Sequence, residues 1–161
     1  MKRLIALLIM ISIAGCEPEA PPAEFPPIPQ APDTIRVEPG PTDPDAPTEF
    51  TTTESGLKYR ILRKSDGQKP TASNSVRVHY RGSLDDGTIF DSSYGRTGKA
   101  IEFAVTGVIP GWTEGLQLIG EGGMIELEIP PELGYGNAGF GTSIPPNSTL
   151  HFIVELLNVK K

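Results

Sequence analysis

The sequence is poor in the residues that many enzymes use for covalent or metal chemistry. It contains one cysteine, Cys16, and two histidines, His79 and His151. A single cysteine excludes an internal disulfide and a cysteine-based metal cluster. Strand alternation puts both histidines on outward faces, where we expect them to be solvated, with no acidic residue predicted beside them. The sequence therefore argues against a Ser-His-Asp hydrolase and a metal site, and it predicts no cofactor.

Positive charge is also scarce. The chain has 14 Lys and Arg against 20 Asp and Glu, for a net charge of −6. Residues 17–50 hold eight acidic residues against one arginine, whereas residues 51–161 hold twelve acidic residues against eleven basic ones. Because no basic stripe or arginine-rich cluster is present, nucleic-acid binding is excluded as the expected function.

The hydrophobic run near the N-terminus is too short to cross a membrane. It covers the eleven residues 4–14, which as a helix measure about 16 Å, roughly half of a bilayer core. Two basic residues precede it, so it predicts an export signal. Residues 13–16, IAGC, resemble the lipobox of bacterial lipoproteins. That resemblance implies a signal peptide over residues 1–15 and a lipid on Cys16.

Residues 16–50 are predicted to form a lipid-anchored, acidic and flexible linker. Eleven of the 17 prolines lie between Pro18 and Pro47, and proline is excluded from helix interiors and central strands. Like charges repel and few apolar side chains are available for burial, so we expect an extended arm. It would space the domain from a bacterial membrane on the periplasmic side. The resemblance to lipoproteins implies that Glu17 after the cysteine favours the outer membrane. The alternative is that its PPxP pieces are ligands for a partner.

Residues 51–161 have the pattern of a sheet with one short helix. Apolar and polar residues alternate in three stretches, which predicts strands with one buried face. These stretches are residues 75–84, 124–129 and 149–159. Pro110 begins a helix that carries Trp112, the only tryptophan. We predict an α+β domain of five or six antiparallel strands wrapped around this helix.

Two stretches rich in glycine or serine, residues 92–98 and 132–147, are predicted to be loops. The second is too long for a plain connection and carries Tyr135 between two glycines, which favours a functional role. Other aromatic residues have a simpler explanation, since Trp112 and inward-facing strand residues can be ordinary core. Asp91 can likewise cap the turn that follows it.

Four motifs then follow one another along the domain: VHYRGSLDDGTIFDSS, VIPGWTEGLQLI, GYG and IPPNSTLHFIVELL. In this order and spacing, they resemble the FKBP-type peptidyl-prolyl cis-trans isomerases over residues 51–161. The resemblance implies a half-wrapped antiparallel sheet and an apolar pocket that receives the proline of an Xaa-Pro bond. The pocket residues that it implies are Tyr80, Phe90, Asp91, Ile101, Phe103, Val108, Ile109, Trp112, Tyr135, Ile144 and Phe152.

The resemblance also implies roles for four of these residues in catalysis. Trp112 is the pocket floor, and the Tyr135 hydroxyl donates a hydrogen bond to a substrate carbonyl. Asp91 accepts a hydrogen bond from Tyr80 and aligns polar groups at the twisted bond. Phe152 completes the catalytic set.

The expected function is acceleration of Xaa-Pro rotation in exported proteins, which assists folding in the cell envelope. The alternative is a non-catalytic chaperone or scaffold module that binds proline-containing segments. The expected partners are unfolded or folding polypeptides and, through the lipid, a membrane; macrolide inhibitors are further candidate ligands. We expect a monomer, because a proline arm stands where dimeric family members have long N-terminal helices.

Overall fold

The domain is one antiparallel sheet crossed by a short helix. A computed structural model describes residues 38–161. In this range seven strands pair in the order β1-β2-β6-β7-β3-β4, and β5 pairs with the first half of β3. The strands are β1 Thr51–Thr52, β2 Lys58–Arg63, β3 Ser75–Ser83, β4 Ile89–Ser92, β5 Ile101–Ala104, β6 Met124–Ile129 and β7 Leu150–Lys160.

The connections contain short helical segments. The α-helices are α1 Ser93–Arg96 and α2 Pro110–Leu116, and 3-10 helices cover Val105–Gly107, Pro131–Leu133 and Gly136–Ala138. The α+β class and the helix start at Pro110 are confirmed. Two details differ from prediction. The two-residue β1 raises the strand count to seven, and the Ser92 side chain caps α1 inside the predicted loop 92–98.

Helix α2 packs closely on β6 because two of its residues lack side chains. A Cβ added at Gly111 would lie 2.6 Å from Ile129, and one at Gly115 would lie 2.7 Å from Leu127. Trp112 and Leu116 are buried in the same interface. Two glycines at a spacing of four thus bring the helix backbone against the apolar face of the sheet. We call the face of the sheet that contacts α2 the helix face.

The opposite face of the sheet also contains buried side chains. Strand register pairs His79 with Glu155, whereas their neighbours Tyr80 and Val154 pair on the helix face. His79 is 2% exposed and Glu155 is 0% exposed. Both therefore lie buried on the face away from α2.

Helix α1 is what covers His79. The Nδ1 atom of His79 lies 3.0 Å from Ser93 Oγ, and the His79 ring stacks on Tyr94 with 4.9 Å between centroids. The prediction that His79 is solvated is wrong, because alternation could not show that a turn of helix packs on this face. His151, predicted to lack an acidic neighbour, lies 2.7 Å from Asp85.

Residues 38–50, assigned from sequence to the flexible linker, lie against the sheet. The Asp43 N–H donates to the Leu62 carbonyl at 2.8 Å, and the Lys64 N–H donates to Asp43 Oδ2 at 2.7 Å. Arg60 donates to the Thr48 carbonyl at 2.9 Å. We call residues 38–50 the strap. The strap therefore contacts the domain that is predicted from the sequence to begin at residue 51. The export signal, Cys16 and the linker before residue 38 lie outside the described residues.

None of the helices within residues 38–161 is both long and apolar enough to cross a membrane.

Candidate active site

A cavity of about 480 Å³ opens on the helix face. Ten of the eleven predicted pocket residues line it. The full lining is Tyr80, Phe90, Asp91, Arg96, Ile101, Phe103, Gly107, Val108, Ile109, Trp112, Tyr135 and Phe152. The exception is Ile144, which is 4% exposed and belongs to the core beside the cavity. It was placed in the pocket by resemblance, and the structure does not bring it there.

Trp112 is the centre of the aromatic wall. Its indole meets three other lining rings edge to face, with centroid distances of 5.3 Å to Tyr80, 5.7 Å to Phe103 and 5.2 Å to Phe152. Such pairs each contribute about 0.5–1.5 kcal/mol beyond area burial. Its Nε1 is buried without a hydrogen-bond partner among the described residues. The described contacts of the Trp112 indole in this wall are therefore contacts of its ring.

Gly82 on β3 makes room for the other end of this wall. A Cβ at this position would lie 2.6 Å from the Phe152 ring and 2.7 Å from the Phe90 ring. Those two rings pack edge to face with 5.4 Å between centroids. Gly82 is a site-forming residue that the sequence analysis missed, because a glycine in an alternating strand carries no hydrophobic signal.

A polar group lies at the rim of the apolar cavity. Tyr80 donates from its hydroxyl to Asp91 Oδ2 at 2.6 Å, as predicted. Arg96 donates to Asp91 Oδ1 at 2.6 Å, and the Ser92 N–H donates to the same oxygen at 2.8 Å. The predicted bond from Tyr80 is present, whereas the turn that follows Asp91 is capped by the Ser92 side chain. The three donors hold the Asp91 carboxylate in one orientation.

Arg96 is a lining residue that the sequence analysis did not identify. It stands at the end of α1, and this single helical turn brings its guanidinium back to Asp91, five positions earlier in the chain. The available signal was an acidic and a basic residue separated by about one turn. Because residues 92–98 are predicted to be a loop, the sequence alone gives no reason to place Arg96 beside Asp91.

The phenols of the cavity are held in their neutral form. Burial, reinforced by the hydrogen bond to Asp91, raises the pKa of Tyr80 well above its ordinary value. Burial, reinforced by the negative charge of Asp91, raises the pKa of Tyr135. The same carboxylate raises the pKa of Arg96 through their hydrogen bond. Because both phenol shifts are upward, both hydroxyls remain protonated donors at neutral pH.

Tyr135 reaches the cavity from the long loop. It precedes the 3-10 helix Gly136–Ala138, and its ring packs on Phe140 with 4.9 Å between centroids. Phe140 is 61% exposed.

Within residues 38–161, no cluster of His, Cys, Asp and Glu is arranged to hold a metal ion.

Comparison with known families agrees with this geometry. The sequence model of the FKBP-type peptidyl-prolyl cis-trans isomerases matches residues 66–157. The chain belongs to this family. The resemblance drawn from the four motifs is thereby confirmed, and the predicted fold is that of solved FKBP structures.

The relatives include curated proteins and solved structures. The chain is 55% identical over 107 residues to the FKBP-type 22 kDa peptidyl-prolyl cis-trans isomerase of Escherichia coli (strain K12), covering 66% of this chain and 52% of the relative. It is 48% identical over 107 residues to the outer membrane protein MIP of Legionella longbeachae, covering 66% and 46%. The crystal structure of FkpA from Escherichia coli superposes with a TM-score of 0.68 at 52% identity, covering 71% of this chain and 53% of that one. The chain thus spans about half the length of the curated relatives it matches.

Proposed function

We propose that this FKBP domain is an active peptidyl-prolyl cis-trans isomerase for proline-containing polypeptides. The observation that carries the proposal is the open cavity with aromatic walls, an indole at its centre and an oriented carboxylate at its rim. Its volume of about 480 Å³ leaves space for a prolyl ring with its flanking groups. Family membership supports the same reaction.

The reaction needs no nucleophile and no cofactor. Rotation about the Xaa-Pro bond breaks amide resonance, with a barrier of about 18–20 kcal/mol, and uncatalysed it takes roughly 10–100 s at 25 °C. Water stabilises the planar, charge-separated amide more than the twisted one. A cavity that replaces water by aromatic and aliphatic side chains therefore disfavours the planar ground state relative to the twisted state.

The rim supplies groups that bind the twisted amide better than the planar one. The neutral Tyr135 hydroxyl donates to a carbonyl of the bound peptide. Asp91, held by Tyr80 and Arg96, presents a fixed negative group to the rotating carbonyl. Preferential stabilisation by about 6–7 kcal/mol corresponds to an acceleration of about 10⁵-fold. Phe152 and Trp112 hold the prolyl ring while the carbonyl side rotates.

The proposal predicts that Tyr135→Phe lowers the rate of isomerisation. The substitution removes one hydrogen-bond donor and leaves the ring in place, so we expect kcat/KM to fall about three- to tenfold. NMR exchange or a protease-coupled assay on an Xaa-Pro peptide measures the effect in the full-length chain. Tyr59→Phe on β2, away from the cavity, is the matched control and should leave the rate unchanged.

The same assay separates catalysis from simple binding. If the unmodified chain binds the peptide without accelerating exchange, the domain is a chaperone or scaffold module and the enzymatic proposal is wrong. If Tyr135→Phe has the same rate as the unmodified chain, the role given to this hydroxyl is wrong.

We further propose that the domain works in the bacterial cell envelope, tethered by a lipid on Cys16 and favouring the outer membrane. The export signal and lipobox support this location, and one relative is named an outer membrane protein. Glu38, the first described residue, lies 3.4 Å from Arg81 on the face opposite the cavity. A tether that joins the domain there leaves the cavity open to bulky clients. We also propose that the protein is a monomer. The cavity is proposed to accept macrolide inhibitors as well as peptides.

Mass spectrometry of the mature N-terminal peptide tests the anchor. We expect an acylated cysteine at position 16 and partitioning of the protein with membranes. Cys16→Ser should abolish both while leaving isomerisation of a soluble peptide unchanged. An unmodified cysteine, or cleavage at another residue, would refute the lipoprotein assignment.

A further inference from the structure

We propose that the strap holds the cavity rim in place through α1, with Glu155 and Tyr94 as positioning residues. Glu155 lies on the face of the sheet opposite the cavity and is not one of the residues that line it. Its influence on Asp91 and Arg96 therefore runs through the elements that it joins. The part of this inference that concerns catalysis rests on the proposed isomerase function.

The first link joins the strap to Glu155. The Gly40 N–H donates to Glu155 Oε1 at 2.8 Å. Arg63 joins the same two elements, donating to Glu155 Oε2 at 2.9 Å and to the Pro41 carbonyl at 3.0 Å. Because Glu155 is fully buried, these bonds lie in a low-dielectric setting, where leaving a charge unpaired is costly. The strap therefore supplies part of the hydrogen bonding that stabilises the buried carboxylate of Glu155.

The second link joins Glu155 to α1. The Tyr94 hydroxyl donates to Glu155 Oε1 at 2.6 Å. The residue before it, Ser93, accepts a hydrogen bond from the Tyr80 N–H at 3.0 Å. The single turn of α1 is therefore attached to β7 through Tyr94 and to β3 through Ser93.

The third link joins α1 to the cavity. Arg96 is the last residue of α1, two positions after Tyr94, and it donates to Asp91 Oδ1 at 2.6 Å. Tyr94 and Arg96 are separated by only about 3 Å of helix rise. A shift of Tyr94 therefore displaces the Arg96 backbone by about as much as Tyr94 itself moves. Because the Arg96 side chain is exposed, the position of its guanidinium depends on the position of the Arg96 backbone.

The test is Tyr94→Phe in the full-length chain, which removes the hydroxyl and keeps the ring. We expect kcat/KM to fall about three- to tenfold and the guanidinium NMR signal of Arg96 to shift. Tyr59→Phe is the matched control and should change neither. A double-mutant cycle adds the coupling: in an Arg96→Ala background, Tyr94→Phe should have little further effect on kcat/KM.

Weakening the contacts between the strap and the sheet should also shift the guanidinium NMR signal of Arg96. Asp43→Ala removes the acceptor of the Lys64 N–H, and we expect it to shift the Arg96 signal. Asp45→Ala is the control within the same segment, because its carboxylate side chain is 72% exposed and pairs only with the Lys64 ammonium in the described contacts. It should leave the Arg96 signal in place.

A purely structural role gives a different result. A lower melting temperature for Tyr94→Phe, with kcat/KM and the Arg96 signal unchanged, would overturn the proposal, as would additive effects in the cycle. The Arg96 signal is recorded without substrate, so it decides whether the rim is positioned through α1 even if the unmodified chain fails to accelerate isomerisation. That result would contradict the proposed isomerase function and leave the positioning of the rim through α1 supported.

Discussion

Trp112→Ala is expected to lower the free energy of unfolding by about 3–5 kcal/mol, the cost of removing a buried aromatic side chain and leaving a cavity. Trp112 is 4% exposed and meets three rings edge to face, so little of the surrounding wall can collapse into the space. Chemical denaturation followed by circular dichroism measures this loss. Trp112→Phe, which retains a ring, should lose less.

The same substitution should weaken peptide binding by at least about tenfold. A prolyl ring that buries about 50–60 Å² of apolar surface against the indole gains on the order of 1.4 kcal/mol, which is a factor of ten in Kd. NMR titration with a proline peptide, at a temperature where the variant is folded, measures the change. Unchanged affinity in a folded Trp112→Ala variant would show that the prolyl ring binds elsewhere.

Arg63→Met is expected to lower the free energy of unfolding by about 3–5 kcal/mol. The substitution keeps an unbranched side chain but removes the cation from Glu155, whose side chain is 0% exposed and lies 2.9 Å from the guanidinium. A buried carboxylate that loses a paired cation loses an important part of what offsets its desolvation, even where other hydrogen bonds to it remain. Urea denaturation measures the loss.

A second ion pair on the sheet provides the control. Lys58 lies 2.6 Å from Glu128 across the β2–β6 pair, but its side chain is 47% exposed. Exposed pairs contribute about 0–1 kcal/mol, so Lys58→Met should change stability by less than 1 kcal/mol. If Arg63→Met were as mild as Lys58→Met, the buried pair would not be a main source of stability on this face.

The effect of Arg63→Met also bears on how the chain is divided. The strap contributes backbone contacts to Arg63 and Glu155 and lies along β2, so the folded unit includes residues that composition assigns to the linker. Proline and acidic residues exclude a hydrophobic core, and that inference holds for the strap. They do not exclude hydrogen bonds to an existing sheet, which is why composition alone did not indicate the contacts that the strap makes with β2 and Glu155.

Much of the fold was predictable because its signals are local. Alternation in β3, β6 and β7 indicates which residues are buried, and Pro110 marks the start of α2. Ten lining residues of the cavity were identified in advance, since their motifs resemble those of a known family. Ile144 was the exception, because sharing a motif with a pocket residue such as Phe152 does not say whether a side chain faces the cavity or the core.

Residue order along this chain was enough to indicate an antiparallel sheet, one short helix and an aromatic pocket, because periodicity and motif spacing are properties of neighbouring residues. It was not enough to reveal the buried His79 and Glu155, the bond from Arg96 to Asp91, or the docking of the strap. Each of these joins residues from different elements, and a polar side chain is buried only if another element covers it and supplies its hydrogen bonds. That information exists only once the strands, α1 and the strap have come together in space.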